Sequence, residues 1–499
     1  MNKKNILVFM TDQQLGDTIC ENSVVFTPNL DRFRRRAMHF REAYTPSPHC
    51  CPSRATFFTG LMPSQHGVWH NVENNNAISR DLYDGTKLFP EDLRENGYHT
   101  FFSGKWHVSA FAGPEEHGFD EVLRYFTSNY GQMQKGYRIH DEDWEHFYSN
   151  PAMIDKEGDE KGFGQIIRPG YPKYFQFGID SNPFGDGDTV DRAVEALDNY
   201  NDDEPFFMYV GTVGPHDPYT PPQEFLDMYK NVEMKLPDSF YQELEDVPAF
   251  YRRTKDMFSL TEEEHKESLR RYYAFCTYED ALFGKLLDAV ERNGYTENTV
   301  ILYISDHGDM AGAHGMWSKG VPCYRESYNI CAMIGGTGIQ AGVEEEAFVS
   351  LADFAPTILD LAEVPRTREF AGESLMPFLN GRRPKSWRTE MFTQTNGNEM
   401  YGIQRAVFNH KWKYVFNGFD YDILYDLEKD PAELHNIIGK EEVRPVIKEM
   451  FKKMWGFGKK VRDNCTCPYI MTSFAPYGPG ILLEDEENIG DEKDGKKSM

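Results

Sequence analysis

Five runs of almost unbroken apolar residues constrain this chain most: "NILVFMT" (5–11), "YHTFFSG" (98–104), "PFFMYVGTV" (205–213), "TVILYISD" (299–306) and "ICAMIGG" (330–336). A strand with one wet face alternates apolar and polar residues. Strands that do not alternate are buried on both faces, as in a parallel sheet covered by helices on either side. Helical patterns sit between them. "TPNLDRFRRRA" offers Thr27 as an N-cap and Pro28 at the first helical position. "DTVDRAVEALDNY" (188–200), "SLRRYYAFCTYEDALFGKLLDAVERNG" (268–294) and "SLADFAPTILDLAEV" (350–364) carry apolar residues at helical spacing, the second closing on Gly294. The alternation predicts an α/β layer fold with a large, mostly parallel sheet sandwiched by helices, over residues 1–380.

The texture then changes. "GIQRAVFNHKWKYVFNGFDYDILYDLEKDPAELHNI" reads as short antiparallel strands and turns, followed by a helix near 440–456, which predicts a smaller C-terminal α+β subdomain over 381–460. Residues 461–499 read as an extension ending in a loose acidic tail, "EDEENIGDEKDGKKSM". There are no internal repeats.

The 499 residues carry 53 basic and 80 acidic side chains, a formal net charge of −27. A chain this acidic is a poor partner for nucleic acid or an anionic membrane, both polyanions. Small anions remain accessible if cations or a metal reverse the field locally. The eight cysteines form no CxxC pair and no evenly spaced framework, so reduced thiols are expected. The apolar stretch Ile6–Met10 is too short for a signal-peptide core or a membrane span and reads as the first strand, so a cytoplasmic protein is expected.

In open parallel sheets ligands bind beyond the carboxyl ends of the strands. Here those ends lead into Asp12 and Gln13, into Lys105 and His107, into His216 and Asp217, and into "SDHGDMAGAHGMWSKG" with Asp306, His307, Asp309, His314 and Lys319. Singly, each has a plain reading: Asp12 as a helix cap, Asp309 and His314 as turn residues, His107 as a structural histidine. Their repetition at four strand ends favours a site.

"PSPHCCPSRATFFTG" (46–60) puts two cysteines at the start of a helix. A bridge between neighbouring cysteines is strained, neither has a zinc partner by spacing, and Arg54 lies too close to both for a cysteine-dependent phosphatase loop. Cys51 reads as a buried inert thiol. Cys50, Pro52, Ser53, Arg54, Phe58, Thr59 and Gly60 match C-x-P-S-R-x-x-x-[LF]-T-G at every defined position, and in this the chain resembles the type I sulfatases, of alkaline phosphatase-like fold. "ILYDLEKDPAELHNI" is similar to a late stretch of the same family, so the resemblance covers nearly the whole chain.

The resemblance implies a set of roles. Cys50 would be converted to formylglycine by a formylglycine-generating enzyme, its hydrated aldehyde serving as nucleophile. One divalent cation, calcium first with magnesium or manganese as alternatives, would be held by Asp12, Gln13, residue 50, Asp306 and His307. Many members have Asp where Gln13 stands and Asn or Gln where His307 stands. Arg54 would hold the hydrate, Lys105 and Lys319 the sulfate, and His107 would take the second hydroxyl proton. His216 with Lys319 would protonate the leaving group, and Asn71 in "HGVWHNVENN" would contact the anion.

The implied reaction is hydrolysis of an anionic sulfate monoester. A sulfated carbohydrate is the expected substrate, because "SNYGQMQKGYRIHDEDWEHFY" (128–148) and "NPFGDGD" (182–188) are rich in aromatic and polar groups. Alternatives are a phosphonate monoester, a phosphodiester or choline sulfate on the same scaffold. A non-catalytic binding relative that keeps an unmodified Cys50 is a further one. Sequence leaves the oligomeric state open.

Overall fold

The computed structural model describes residues 3–74, 76–126, 151–398, 400–469 and 478–483. Eight strands form the main sheet: β1 (Asn5–Thr11), β2 (Ala37–Phe40), β3 (His99–Lys105), β4 (Glu121–Phe126), β5 (Phe206–Gly211), β6 (Thr299–Ser305), β7 (Ala332–Gly336) and β8 (Val343–Glu345). Their spatial order is β8-β2-β7-β6-β1-β5-β3-β4. Every neighbouring pair is parallel except the two that β7 makes, with β6 and β2. The large, mostly parallel sheet is therefore as expected, but the run at 330–336 supplies its one antiparallel strand. Its residues are buried on both faces all the same, and burial, not direction, is what removes the polar alternation.

Strands β2, β4 and β8 went unread in the sequence. They are short or edge strands, and edge strands need not be apolar on both faces.

The two faces of the sheet carry separate cores. On one, Ile6, Val8, Met10, Phe102, Tyr209 and Leu302 pack against Phe57, Phe58 and Phe354. These last come from the helices Cys50–Thr59 and Phe354–Leu361. On the other, Leu7, Phe9, Met208 and Ile301 pack against Phe33, Val190, Leu197, Phe283 and Leu287. These come from Pro28–Arg34, Asp186–Asn199 and Glu262–Arg292. Thr27 precedes the first of these helices, but its side chain makes no capping hydrogen bond. The long helix starts earlier than its apolar pattern, at Glu262, where Thr261 and Glu264 form a reciprocal capping box. Gly294, at φ +73°, follows its end.

Four antiparallel strands, β9 (Met391–Gly397), β10 (Tyr401–Phe408), β11 (Trp412–Asn417) and β12 (Ile423–Asp426), form a second sheet backed by the helix Arg444–Lys460. This sheet shares a core with the main body, in which Ala406, Phe408 and Val415 meet Tyr44, Tyr251 and Tyr328. The acidic tail, 484–499, and the loop 128–148 lie outside the described residues. Among the described residues no helix is long and apolar enough to cross a membrane.

Candidate active site

Strands β6, β1, β5 and β3 are adjacent and parallel, so their carboxyl ends form one rim. Gly104 lets β3 reach it: the backbone there has φ +106°, and an added Cβ would stand 1.9 Å from the Gly211 carbonyl oxygen on β5. The next residue, Lys105, donates from Nζ to Asp12 Oδ2 across the rim at 2.7 Å.

Cys50 opens the buried helix Cys50–Thr59 below this rim. Its Sγ lies 3.2 Å from His307 Nε2 and 3.6 Å from Asp12 Oδ1. One turn on, Arg54 is fully buried and ties the floor together. It donates from Nε to Asp306 Oδ2 at 2.9 Å, from NH2 to Asp12 Oδ2 at 3.1 Å, and from NH1 to Tyr209 Oη and the Lys105 carbonyl. Tyr209 was missed from sequence because, inside an apolar strand, it reads as core.

Asp12, Asp306, His307 and Cys50 form a cage whose ligand atoms all lie within 4.8 Å of one another. His307 Nδ1 lies 2.9 Å from the Gly308 carbonyl, which only accepts, so Nδ1 carries the proton and the Nε2 lone pair faces the cage. Burial and the nearby Asp12 charge push the Asp306 carboxyl up to about 6. Burial and Cys50 would raise Asp12 also, but Lys105 and Arg54 hold it below the ordinary carboxylate range. Two buried carboxylates and an imidazole lone pair converging on one point suit a divalent cation, so the donor set fits the implied metal.

Gln13 is nearby but committed differently. Its backbone N–H donates to Asp306 Oδ1, its Nε2 donates to Asp217 and Asp309, and its Oε1 accepts from Lys319 Nζ at 2.6 Å. Lys319 Nζ also lies 2.6 Å from His216 Nε2, while His216 Nδ1 is 2.6 Å from the Asp217 carbonyl. His216 and Asp217 are partly exposed and mark the mouth of the site. Asp309, at the same strand end, anchors this group: besides Gln13 it accepts from Tyr219 Oη and from the backbone N–H of Ala311 and Ser318.

The adjacent cysteines diverge. Burial penalises a thiolate at Cys50, yet the Lys105 and Lys319 ammonium groups draw that thiol well below its usual value. Burial pushes Cys51 up to about 12. Asn71 sits at the same helix start, but its Oδ1 accepts from the Cys51 N–H at 3.1 Å, which makes it an acceptor for the first helical turn. His107 Nε2 pairs with Glu73 Oε1 at 2.5 Å, a partner not singled out from sequence. In the 182–188 loop two polar side chains are committed to the fold, while Asp188 stays exposed beside Arg124. Asp186 is buried and accepts from the Val213 and Gly214 N–H groups, and Asn182 accepts from Gly187. That stretch buttresses the turn carrying His216.

Comparison with known proteins gives these features a family. The Sulfatase family model matches residues 4–364, and the model named N-sulphoglucosamine sulphohydrolase, C-terminal, matches 312–460. The choline-sulfatase of Rhizobium meliloti is 32% identical over 456 residues, covering 87% of this chain and 82% of that protein. The N-acetylglucosamine-6-O-sulfatase of Bacteroides thetaiotaomicron is 25% identical over 534 residues, covering 93% and 87%. The solved structure of BT4656 with its substrate D-glucosamine-2-N,6-O-disulfate superposes with a TM-score of 0.72 at 22% identity, covering 93% of this chain and 99% of that one. The fold is alkaline phosphatase-like. With a family model spanning most of its length and a relative above 30% identity, the chain belongs to the sulfatase family and is a sulfuric ester hydrolase.

Proposed function

We propose that the enzyme cleaves the sulfate monoester of a sulfated carbohydrate, using residue 50 as formylglycine and one divalent cation, calcium first. The observation that carries the reaction is Cys50 Sγ at a helix start, 3.2 Å from His307 Nε2 and 3.6 Å from Asp12 Oδ1, in the cage these residues form with Asp306. The sulfur stands where the oxygens of a hydrated aldehyde would be. Matured, residue 50 would supply two hydroxyls, one as nucleophile and one as the proton source for release of sulfate. The cation would be held by Asp12, Asp306, His307 and residue 50, with the Gln13 amide oxygen as a further donor, and would supply charge neutralisation and a lowered hydroxyl pKa.

The chain's own side chains do the rest. Arg54 neutralises the two carboxylates and fixes them. Lys105 and Lys319 offer ammonium groups to the anionic ester, stabilising charge as it develops. His107 takes a proton from residue 50. His216, paired with Lys319, gives one to the departing alcohol. Gln13 acts through its amide oxygen, whose present partner is Lys319 and whose rotation is set by Asp217 and Asp309. Asn71, whose Oδ1 orders the helix start, is the candidate amide for contacting the anion.

The carbohydrate assignment is supported by the relative named for N-acetylglucosamine-6-O-sulfate and by the C-terminal family model. The choline-sulfatase relative favours a second reading, a small alkyl sulfate. Two measurements test the proposal. Mass spectrometry of the residue-50 peptide, from a host that matures sulfatases, should give the mass of formylglycine; an unmodified thiol would sink the mechanism. A panel of sulfated saccharides, choline sulfate, phosphonate monoesters and phosphodiesters should give fastest turnover on a saccharide. No sulfate release from any sulfated mono- or oligosaccharide would overturn that assignment.

A further inference from the structure

The geometry points to Glu73 as a positioning residue: we infer that it holds the His107 ring with Nε2 protonated, leaving Nδ1 as the acceptor that faces residue 50. This rests on the reading of residue 50 given above. The observations are local and independent of one another. Glu73 Oε1 lies 2.5 Å from His107 Nε2, and both side chains are only 13% exposed. A carboxylate can only accept, so Nε2 carries the hydrogen and the other nitrogen carries the lone pair. His107 Nδ1 is buried with no hydrogen-bond partner among the described residues. A ring nitrogen of His107 lies within 4.8 Å of Cys51 Sγ, and the ring is near enough to Cys50 to lower the pKa of its thiol.

The carboxylate is itself fixed. The Cys51 thiol donates toward Glu73 Oε2 at 3.8 Å, so each oxygen faces its own donor. The backbone that delivers Glu73 is tied to the helix start through Asn71 Oδ1, which accepts from the Cys51 N–H, and Val72 N–H, which donates to Cys51 Sγ at 3.3 Å. Arg80 holds the Val72 carbonyl at 2.8 Å, and Asn398 accepts from the Asn71 N–H at 2.9 Å. On the other side His107 has φ +57°, a left-handed conformation uncommon outside glycine, which turns the residue away from the line of β3. Glu73 and His107 thus meet from two separately anchored segments.

The step this serves is a proton transfer. An O–H bond on residue 50 would break and an N–H bond form at His107 Nδ1. The O–H electron pair would become the second bond of the regenerated aldehyde carbonyl as the C–O bond to sulfate breaks. Sulfate would leave with that bond's pair, and Glu73 would balance the imidazolium charge. Without Glu73 the ring could flip or adopt the other tautomer, with Nδ1 protonated and unable to accept.

The test has two arms. In the Cys50 form, made in a host that does not mature it, proton NMR should find one strongly deshielded imidazole N–H, absent from both Glu73→Ala and His107→Ala. In the matured enzyme, on the ester the panel shows to be turned over fastest, Glu73→Ala and Glu73→Gln should each lower kcat about 100-fold, with KM within about threefold. Glutamine matters because it fills the same space but can donate to Nε2, fixing the wrong tautomer. Glu73→Asp should recover at least about tenfold of the loss. A Glu73→Gln enzyme with wild-type kcat, or an N–H signal that survives Glu73→Ala, overturns the inference. So does a second equivalent of bound metal that disappears with Glu73→Ala, since Cys51, Glu73 and His107 would then be its ligands. Failure of the parent reading is seen separately, as an unmodified residue 50 from a maturing host. The NMR arm reads the Glu73–His107 pair in either case.

Discussion

Around Cys50, charges of like sign crowd together: Asp12 beside Asp306, with one arginine bonded to both, and Lys105 near Lys319. In the C-terminal sheet buried charges instead close one to one. Arg405 binds both oxygens of Asp463 through Nε and NH2, and Lys413 binds both oxygens of Glu433 at 3.0 and 2.8 Å. The second arrangement consumes its own charge and can only hold structure. In the first, Arg54 and Lys105 offset the two carboxylates only in part: Asp306 is still pushed up to about 6, which leaves the cluster able to take a further cation. Burial of charge alone is therefore no mark of a catalytic site. Crowding of one sign is the better guide.

Substitutions on the two sides should separate cleanly. Cys50→Ala should abolish turnover, by about 10^4-fold or more, while the thermal midpoint stays within a few degrees. A fall in both would make the site a structural element after all. Arg405→Met should do the reverse. It strands Asp463, destabilises by about 3–5 kcal/mol in urea titration, and leaves kcat of the folded enzyme within about threefold. Lys319→Ala, which removes the ammonium shared by Gln13 and His216, should cost about 10²–10³-fold in kcat with little change in melting.

A satisfied carboxylate should also announce itself by pH. Burial disfavours the charge of Glu264, but Lys161 and the N–H groups of Thr261 and Gly164 bring its pKa down to about 2. Its folded value lies below its unfolded one, so its contribution is whole above about 4.5 and is lost as pH falls toward 2. Stability should drop through that window in the wild type and less steeply in Glu264→Gln, by chemical denaturation at each pH. The smallest effect is expected from Cys51→Ala: about 1 kcal/mol of stability and a kcat within about threefold. An enzyme as inactive as Cys50→Ala would reverse the roles assigned within the pair.

Much of the site was legible because it hangs on strand ends. An unbroken apolar run tells where a strand stops, and parallel neighbours bring those stops to one rim, so Asp12, Lys105, His216 and Asp306 could be grouped without coordinates. Glu73 was not legible. It lies in a loop among polar residues of the same kind, and only the packing of that loop on the Cys50 helix brings it to His107. Asp309 was visible at a strand end but without a role, since a turn acid and a site anchor look alike until Gln13 and Tyr219 are seen to donate to it. In the 182–188 loop the sequence showed polar groups but not their partners: Asp186 satisfies the Val213 and Gly214 N–H groups beneath the His216 turn, while Asp188 remains exposed.

By itself the sequence determined the layer architecture, the helix start that presents Cys50, and the side chains at four strand ends. All of these are set by local pattern: apolar periodicity, capping chemistry and a fixed spacing along the chain. Tertiary structure alone decided which charges surround each of the two neighbouring thiols, whom Gln13 serves, and which carboxylate meets His107. Those outcomes depend on charges tens to hundreds of residues apart meeting within a few ångströms in a buried space, where a Coulomb interaction is strong enough to choose between otherwise equivalent groups.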